Sequence, residues 1–174
     1  MIGHKNPITG LDYSRDNQEL ITVENGAEPL SIVWKYNKRT HQFNKLKFKV
    51  NIDEVRLVCL SPDAKYCCFI GETKKSKDCI SIYDLEGKKP KNISKHLSEF
   101  NILDFKFSPI ESLKFVSCGK ENIKFWRIKN KHLTGCPVIL NNYARKSIFT
   151  VLDFDMHSYS SELINNNKVI VGSS

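Results

Sequence analysis

Helix signals are scarce in this chain, and compact catalytic motifs are missing from it. There is no Gly-rich phosphate loop, no Gly-x-Ser-x-Gly elbow and no His-Glu-x-x-His pair. No Cys-x-x-Cys pair occurs, and so no histidine stands at zinc spacing from one. No apolar run approaches the ~18 residues that a membrane-spanning helix needs. Acidic residues are in the minority, 19 against 27 lysines and arginines, for a net charge of +8. The chain is therefore not expected to be an enzyme. No catalytic residue, cofactor or metal is expected, and no membrane partner.

What remains is β-structure. β-branched and aromatic residues cluster in runs of five to seven, separated by Gly, Pro, Asn, Asp and Ser. One short pattern occurs three times: Ser31-Ile-Val-Trp34, Ser81-Ile-Tyr83 and Lys124-Phe-Trp126. The aromatics lie 49 and 43 residues apart. Each is preceded by a turn, and the turn serines Ser14, Ser61 and Ser108 are spaced 47 and 47 apart. A β-rich repeat of this period points to four-stranded propeller blades. The expected fold is all-β, about three and a half antiparallel blades of a partial propeller, roughly 3–50, 51–97, 98–144 and an incomplete 145–174.

The first blade is expected to use strands Ile8–Tyr13, Glu19–Val23, Leu30–Tyr36 and Phe43–Phe48. The second uses Val55–Leu60, Tyr66–Ile70, Cys79–Leu85 and Asn92–Lys95. The third uses Ile102–Phe107, Lys114–Ser117, Ile123–Ile128 and Val138–Asn141. The fourth has Phe149–Asp155 and Lys168–Gly172, joined by a long loop at His157–Asn167. Closed propellers have about four to eight blades, so part of a larger protein is expected, with unpaired edges at its ends.

Six cysteines are present. Cys59, Cys67 and Cys118 sit in apolar β runs, where cysteine acts as a small hydrophobe. Reduced, intracellular thiols are expected. Adjacent Cys67 and Cys68 should point to opposite faces. Asp153 and Asp155 share one face near a strand end and are expected to be turn caps or solvated groups.

The basic residues gather in the turns between third and fourth strands. These turns carry Lys38 and Arg39, then Lys88, Lys89 and Lys91, then Lys129 and Lys131, with Glu86 as the nearby acid. Strands alternate in direction, so all three turns should lie at one end of the blades, as an arc suited to an acidic partner. The competing reading is that lysines on outer strands only protect edges and solubility. Lys74, Lys75 and Lys77 fall in a turn at the other end.

Gly3-His4 followed by Trp34, and His96 followed by Trp126, resemble the Gly-His…Trp-Asp spacing of WD40 repeats. The resemblance implies a buried hydrogen-bonded set, His4, Thr22 and Trp34 in the first copy and His96, Ser117 and Trp126 in the third. Glu24 and Glu121 match its acidic position loosely. In the second copy Gly71 and Tyr83 stand at the Ser and Trp positions. The stretch Ser117-Cys-Gly-Lys-Glu-Asn-Ile-Lys-Phe-Trp126, with Leu133-x-Gly-Cys-Pro137 and Phe149-Thr-x-Leu152-x-Phe154, is similar to microtubule-associated WD proteins, and most of all to the centriolar and ciliary WD-repeat protein ninety group. That resemblance implies a scaffold of the cytoskeleton at centriole, basal body or axoneme. Its partners would be tubulin or microtubule-wall proteins, and other WD40 blades of the same protein. The alternatives are a nucleic-acid-associated WD40 scaffold and a peptide adaptor using the central channel. Tyr36, Phe43 and Phe48 are expected to be core or blade-packing residues, which disfavours nucleic acid.

Overall fold

The computed structural model describes residues 3–142, 144–155 and 169–173. All of its regular elements are strands. β1 (Ile8–Tyr13), β2 (Glu19–Glu24), β3 (Leu30–Asn37) and β4 (Gln42–Lys49) form one antiparallel sheet in that order. β5 (Glu54–Leu60), β6 (Tyr66–Glu72), β7 (Asp78–Asp84) and β8 (Lys91–Leu97) form the second. β9 (Ile102–Phe107), β10 (Lys114–Gly119), β11 (Asn122–Lys129) and β12 (His132–Pro137) form the third. β13 (Phe149–Phe154) and β14 (Val169–Ser173) make a two-stranded fourth. The expected loop His157–Asn167 lies outside the described residues.

The sheets stack face to face, which explains the apolar runs. In β6, Cys67 and Phe69 pack toward the first sheet while Cys68 and Ile70 pack toward the third. A strand covered on both faces reads as continuously apolar, and Cys67 through Ile70 are all fully buried. Outer strands read differently. β4 alternates exposed lysines with partly buried Leu46 and Phe48. Burying a side chain the size of Phe69 contributes about 1.5–3 kcal/mol.

One strand lies elsewhere than the sequence suggested. The fourth strand of the third sheet is His132–Pro137, not Val138–Asn141. Asn130 and Lys131 both take positive φ, 50° and 64°. They close a two-residue turn of the hairpin type, so the chain doubles back at once and Lys129 pairs with His132.

Trp34, Tyr83 and Trp126 occupy matching places on the third strands, opposite Leu20, Cys67 and Phe115. Two residues further along the second strand stand Thr22, Phe69 and Ser117. Phe69, not Gly71, therefore fills the Ser/Thr position of the second sheet. The reason is one extra strand pair: five residues join the strands in both hairpins, but β6–β7 pairs one step further past its aromatic than β2–β3, which adds two residues between the site positions. Phe69 lies edge-on to Tyr83, with ring centroids 5.6 Å apart, and Phe48 joins them. An aromatic cluster replaces the polar set, and the Tyr83 hydroxyl accepts from the Asn51 amide at 2.8 Å.

Candidate interaction face

Two structural devices hold the blades in the arrangement that presents the turns. The first is the polar set of the first sheet. Trp34 Nε1 donates to Thr22 Oγ1 at 2.8 Å, and His4 Nε2 meets the same oxygen at 2.7 Å. His4 Nδ1 stands 3.1 Å from Glu24 Oε2. That oxygen also accepts the amides of Lys5 and Asn6, at 2.7 and 2.9 Å. Glu24 is thus a full member of the set rather than a loose match. In the third sheet Trp126 donates to Ser117 at 2.7 Å, and His96 lies edge-on to the indole with centroids 5.2 Å apart. Glu121 is exposed in the β10–β11 turn at φ 55°, so it does not hold the acidic position. The residue matching Glu24 there is Gly119.

Burial pushes the Glu24 carboxyl up, yet the amides of Asn6 and Lys5 and the charge of His4 outweigh it and hold it below the ordinary glutamate range. A lowered carboxyl adds stability above its unfolded value and loses it as the pH falls through the folded value. The stability gap between the natural chain and Glu24→Gln, measured by urea unfolding, is expected to be wide at neutral pH. It should close below the ordinary glutamate range. A gap that stays constant with pH would remove Glu24 as the acid-sensitive group.

The second device links blade to blade. Asp12 Oδ2 accepts the Leu60 amide and Asp104 Oδ2 accepts the Leu152 amide, each at 2.7 Å. The buried Asp78 takes the Ile102 amide at 2.7 Å and Arg56 at 2.6 Å. Asn25 bonds both backbone groups of Val55. The Cys118 thiol, pushed up to about 12 by burial and then by Asp104, donates to the Phe149 carbonyl at 3.2 Å. Lys47 and Lys95 donate to the carbonyls of Gly3 and Asn51, so these outer-strand lysines tie down the loop before each blade. Asp153 is a mostly solvated carboxylate, paired across the surface with Lys106 at 3.2 Å.

All seven candidate side chains, Lys38, Arg39, Lys88, Lys89, Lys91, Lys129 and Lys131, are exposed. Each sheet has the same antiparallel order, so their turns fall at one end of the strands and on the outer side. Local chemistry shapes each turn. Asn37 Oδ1 accepts the amides of Arg39 and Thr40, and His41 at φ 51° closes the loop. Asp84 Oδ1 accepts the Glu86 amide. The turn of the second blade adjoins the outer edge of the first, where Lys88 and Lys35, Lys45 and Leu46 line one cleft. Among the described ion pairs, none includes any of the seven. Glu86 is engaged by Lys65 at 2.9 Å.

Two features were not read from sequence. Acids of the first-to-second strand turns share this end. Asp16 is held below the ordinary aspartate range by the Ser14 hydroxyl, then the Gln18 amide, with Lys38 adding its charge. Glu86 is therefore not the sole acid near the arc. Ser14 and Ser61 bind Asp16 and Asp63 in matching turns, a signal visible as Ser-x-Asp in both copies. The second feature is Phe43. It is 56% exposed and lies 5.3 Å from Tyr36, so it is a surface aromatic and not a packing residue, whereas Phe48 does pack between sheets. Strand alternation puts Phe43 on the opposite face of β4 from Leu46 and Phe48, the face against which no described sheet lies.

Among the described residues no three His, Cys, Asp or Glu side chains gather as a metal site. The cysteines are free, and only Cys136 is exposed.

No family model matches the chain. It is similar to WD repeat-containing protein 90 of Xenopus tropicalis, 21% identical over 147 residues, covering 82% of this chain and 8% of that protein. It is 24% identical over 147 residues to centriole proteome protein 16 of Chlamydomonas reinhardtii, covering 80% of this chain and 7% of that protein. The mouse WD repeat-containing protein 90 is 20% identical over 146 residues. The chain thus spans less than a tenth of the length of these curated relatives. Its all-β architecture of four-stranded antiparallel sheets and its His4–Thr22–Trp34 set are consistent with a partial WD40 propeller, and the chain is a homologue of WD repeat-containing protein 90 and of centriole proteome protein 16.

Proposed function

We propose that this stretch serves a non-enzymatic scaffold of the microtubule cytoskeleton, at centriole, basal body or ciliary axoneme, with tubulin or a neighbouring wall protein as its acidic partner. The observation that carries this reading is the set of seven exposed basic side chains in three matching turns, none of them in a described ion pair. The names of two relatives, one for its WD repeats and one for the centriole proteome, support the setting. Each exposed pair contributes only about 0.2–1 kcal/mol, so the site acts as a sum.

Charge reversal in the full-length protein tests it. Lys38, Arg39, Lys88, Lys89, Lys91 and Lys129 are changed to Glu, with Lys131→Gly because glycine accepts the positive φ. Microtubule cosedimentation is expected to fall at least about tenfold, the equivalent of seven contacts at roughly 0.2 kcal/mol each. It should also weaken with salt, since charges are screened beyond about 8 Å at physiological ionic strength. Reversing Lys74, Lys75 and Lys77 should do less. Equal losses would mean general charge attraction, and no loss from either would place the partner elsewhere.

Exposed Phe43 beside half-buried Tyr36, near Lys38, favours a second reading, single-stranded nucleic acid, because bases stack on such rings. In a gel-shift assay Phe43→Ala would then abolish RNA binding while leaving cosedimentation untouched.

A further inference from the structure

One outer strand is left as a straight, open edge where its two counterparts are blunted. β4 pairs with β3 at eight consecutive positions without a register shift. β8 is broken by a shift between Ile82 and Tyr83. On β12 the Val138 amide bonds back to Ile123, so Pro137 before it takes an outward place and offers no N–H there. Sheets commonly blunt their edges in these ways against pairing with another chain.

The ladder fixes which backbone groups of β4 are open. The Val50 amide donates to the Pro29 carbonyl, so alternate residues back to Gln42 turn toward β3. Phe43, Lys45, Lys47 and Lys49 therefore turn their N–H and C=O groups outward. Among the described residues no strand pairs with them. Their side chains share one face, where the three lysines are exposed. The Lys45 ammonium lies 5.0 Å from the centre of the Trp34 ring, and Lys47 donates to the Gly3 carbonyl at 3.4 Å. Lys49 is paired with exposed Glu28. On the other face, beside Leu46, a cleft of about 370 Å³ is lined by Asn44, Leu46, Leu85, Gly87 and Lys88. Two β4 edges meeting antiparallel at Lys47 would set lysine opposite lysine, and like charges directly opposite repel. The lysines thus turn away a second copy and leave an acidic strand as the complementary occupant.

We propose that the open edge of β4 binds an extended acidic peptide. The peptide adds as a fifth antiparallel strand, sets carboxylates opposite Lys45, Lys47 and Lys49, and sends an aliphatic side chain into the cleft beside Leu46. Main-chain bonds give the affinity, and the alternation of acid and aliphatic gives the selectivity. Only Lys88 is shared with the seven turn residues, so the edge binds its peptide whether or not those turns meet a microtubule wall.

The probe is the fluorescein-labelled peptide Glu-Val-Glu-Leu-Glu-Val-Glu, titrated with the full-length protein and read by anisotropy. Saturable binding is expected. N-methylation of the two glutamates that flank the leucine should weaken it at least about tenfold, because their amides face β4. N-methylation of the leucine and one valine, whose amides face water, should change it less than about threefold. The block isomer Glu-Glu-Glu-Glu-Val-Leu-Val has the same charge and should bind at least about tenfold more weakly. Hydrogen exchange locates the strand: the Lys45 and Lys47 amides should slow when the peptide is added. The proposal is overturned if no saturable binding occurs, if the two methylated peptides bind alike, or if the block isomer binds as well as the alternating one. Protection that falls on other strands and spares β4 overturns it too. So does a dimer of the protein whose formation excludes the peptide, because a second copy then occupies the edge.

Discussion

Gly71→Ala is expected to prevent stable folding, with a cost on the order of 4 kcal/mol or more, among the largest that a single substitution produces. A Cβ at Gly71 would stand 1.9 Å from the carbonyl oxygen of Glu54 and 2.8 Å from its carbon. Backbone on a paired strand cannot give way as a flexible side chain can. Gly71 lies opposite Val55 at a bulge in the β5–β6 register, where the two strands come closest. Gly119 repeats the situation, with the Asn101 carbonyl 2.0 Å from a Cβ and a register shift at the same point. Gly119→Ala should behave likewise. Gly87 is the control: its nearest atom, the Lys89 carbonyl oxygen, is 3.5 Å from the added carbon, and Gly87→Ala should change stability by less than about 1 kcal/mol. Soluble yield and urea midpoints decide. A Gly71→Ala chain as stable as Gly87→Ala would show that the β5–β6 bulge relaxes freely.

Thr22→Val keeps the volume of a fully buried residue and removes one oxygen. That oxygen serves Trp34 Nε1 and His4 Nε2 together. Each buried polar group left without a partner costs about 1–3 kcal/mol, so a loss of roughly 2–4 kcal/mol is expected. Ser117→Ala orphans only the Trp126 N–H and should cost about half as much. Apolar replacement of both partners is a different matter, as the second blade shows by placing Phe69 and Tyr83 where Thr22 and Trp34 stand. Adding Trp34→Phe to Thr22→Val should therefore cost less than the two single losses added together. Additive losses in urea unfolding would mean that the hydrogen bonds act independently and that packing carries the set.

Much of the fold is legible in the chain because every blade repeats the same local rules. The strands of the first two sheets follow from β-branched runs and from Ser-x-Asp turns whose hydrogen bonds form within five residues. The set of His4, Thr22 and Trp34 is legible from spacing, and so is the opposition of Cys67 and Cys68 across β6, since period-two alternation is a local property. The basic turns are visible as charge clusters for the same reason.

Other features depend on register, and register is set by partners distant in sequence. Phe69 rather than Gly71 faces Tyr83 because pairing along β6–β7 decides which residue lies two places beyond the aromatic's partner. The β12 strand was obscured because Asn130 and Lys131 close a turn through positive φ, a conformation that neither residue advertises as glycine would. Glu24 became a structural acid only through the amides of Lys5 and Asn6, nineteen and eighteen residues away. Exposure of Phe43 and Phe125 was decided last of all. Both read as ordinary strand aromatics, and what separates them from Phe69 is whether another sheet lies against them. The amino-acid sequence by itself determined the strands, their turns and the repeat, because those rest on contacts between near neighbours. Only the tertiary structure decided which faces are covered and which polar groups meet, because burial and buried hydrogen bonds depend on the stacking of one sheet upon the next.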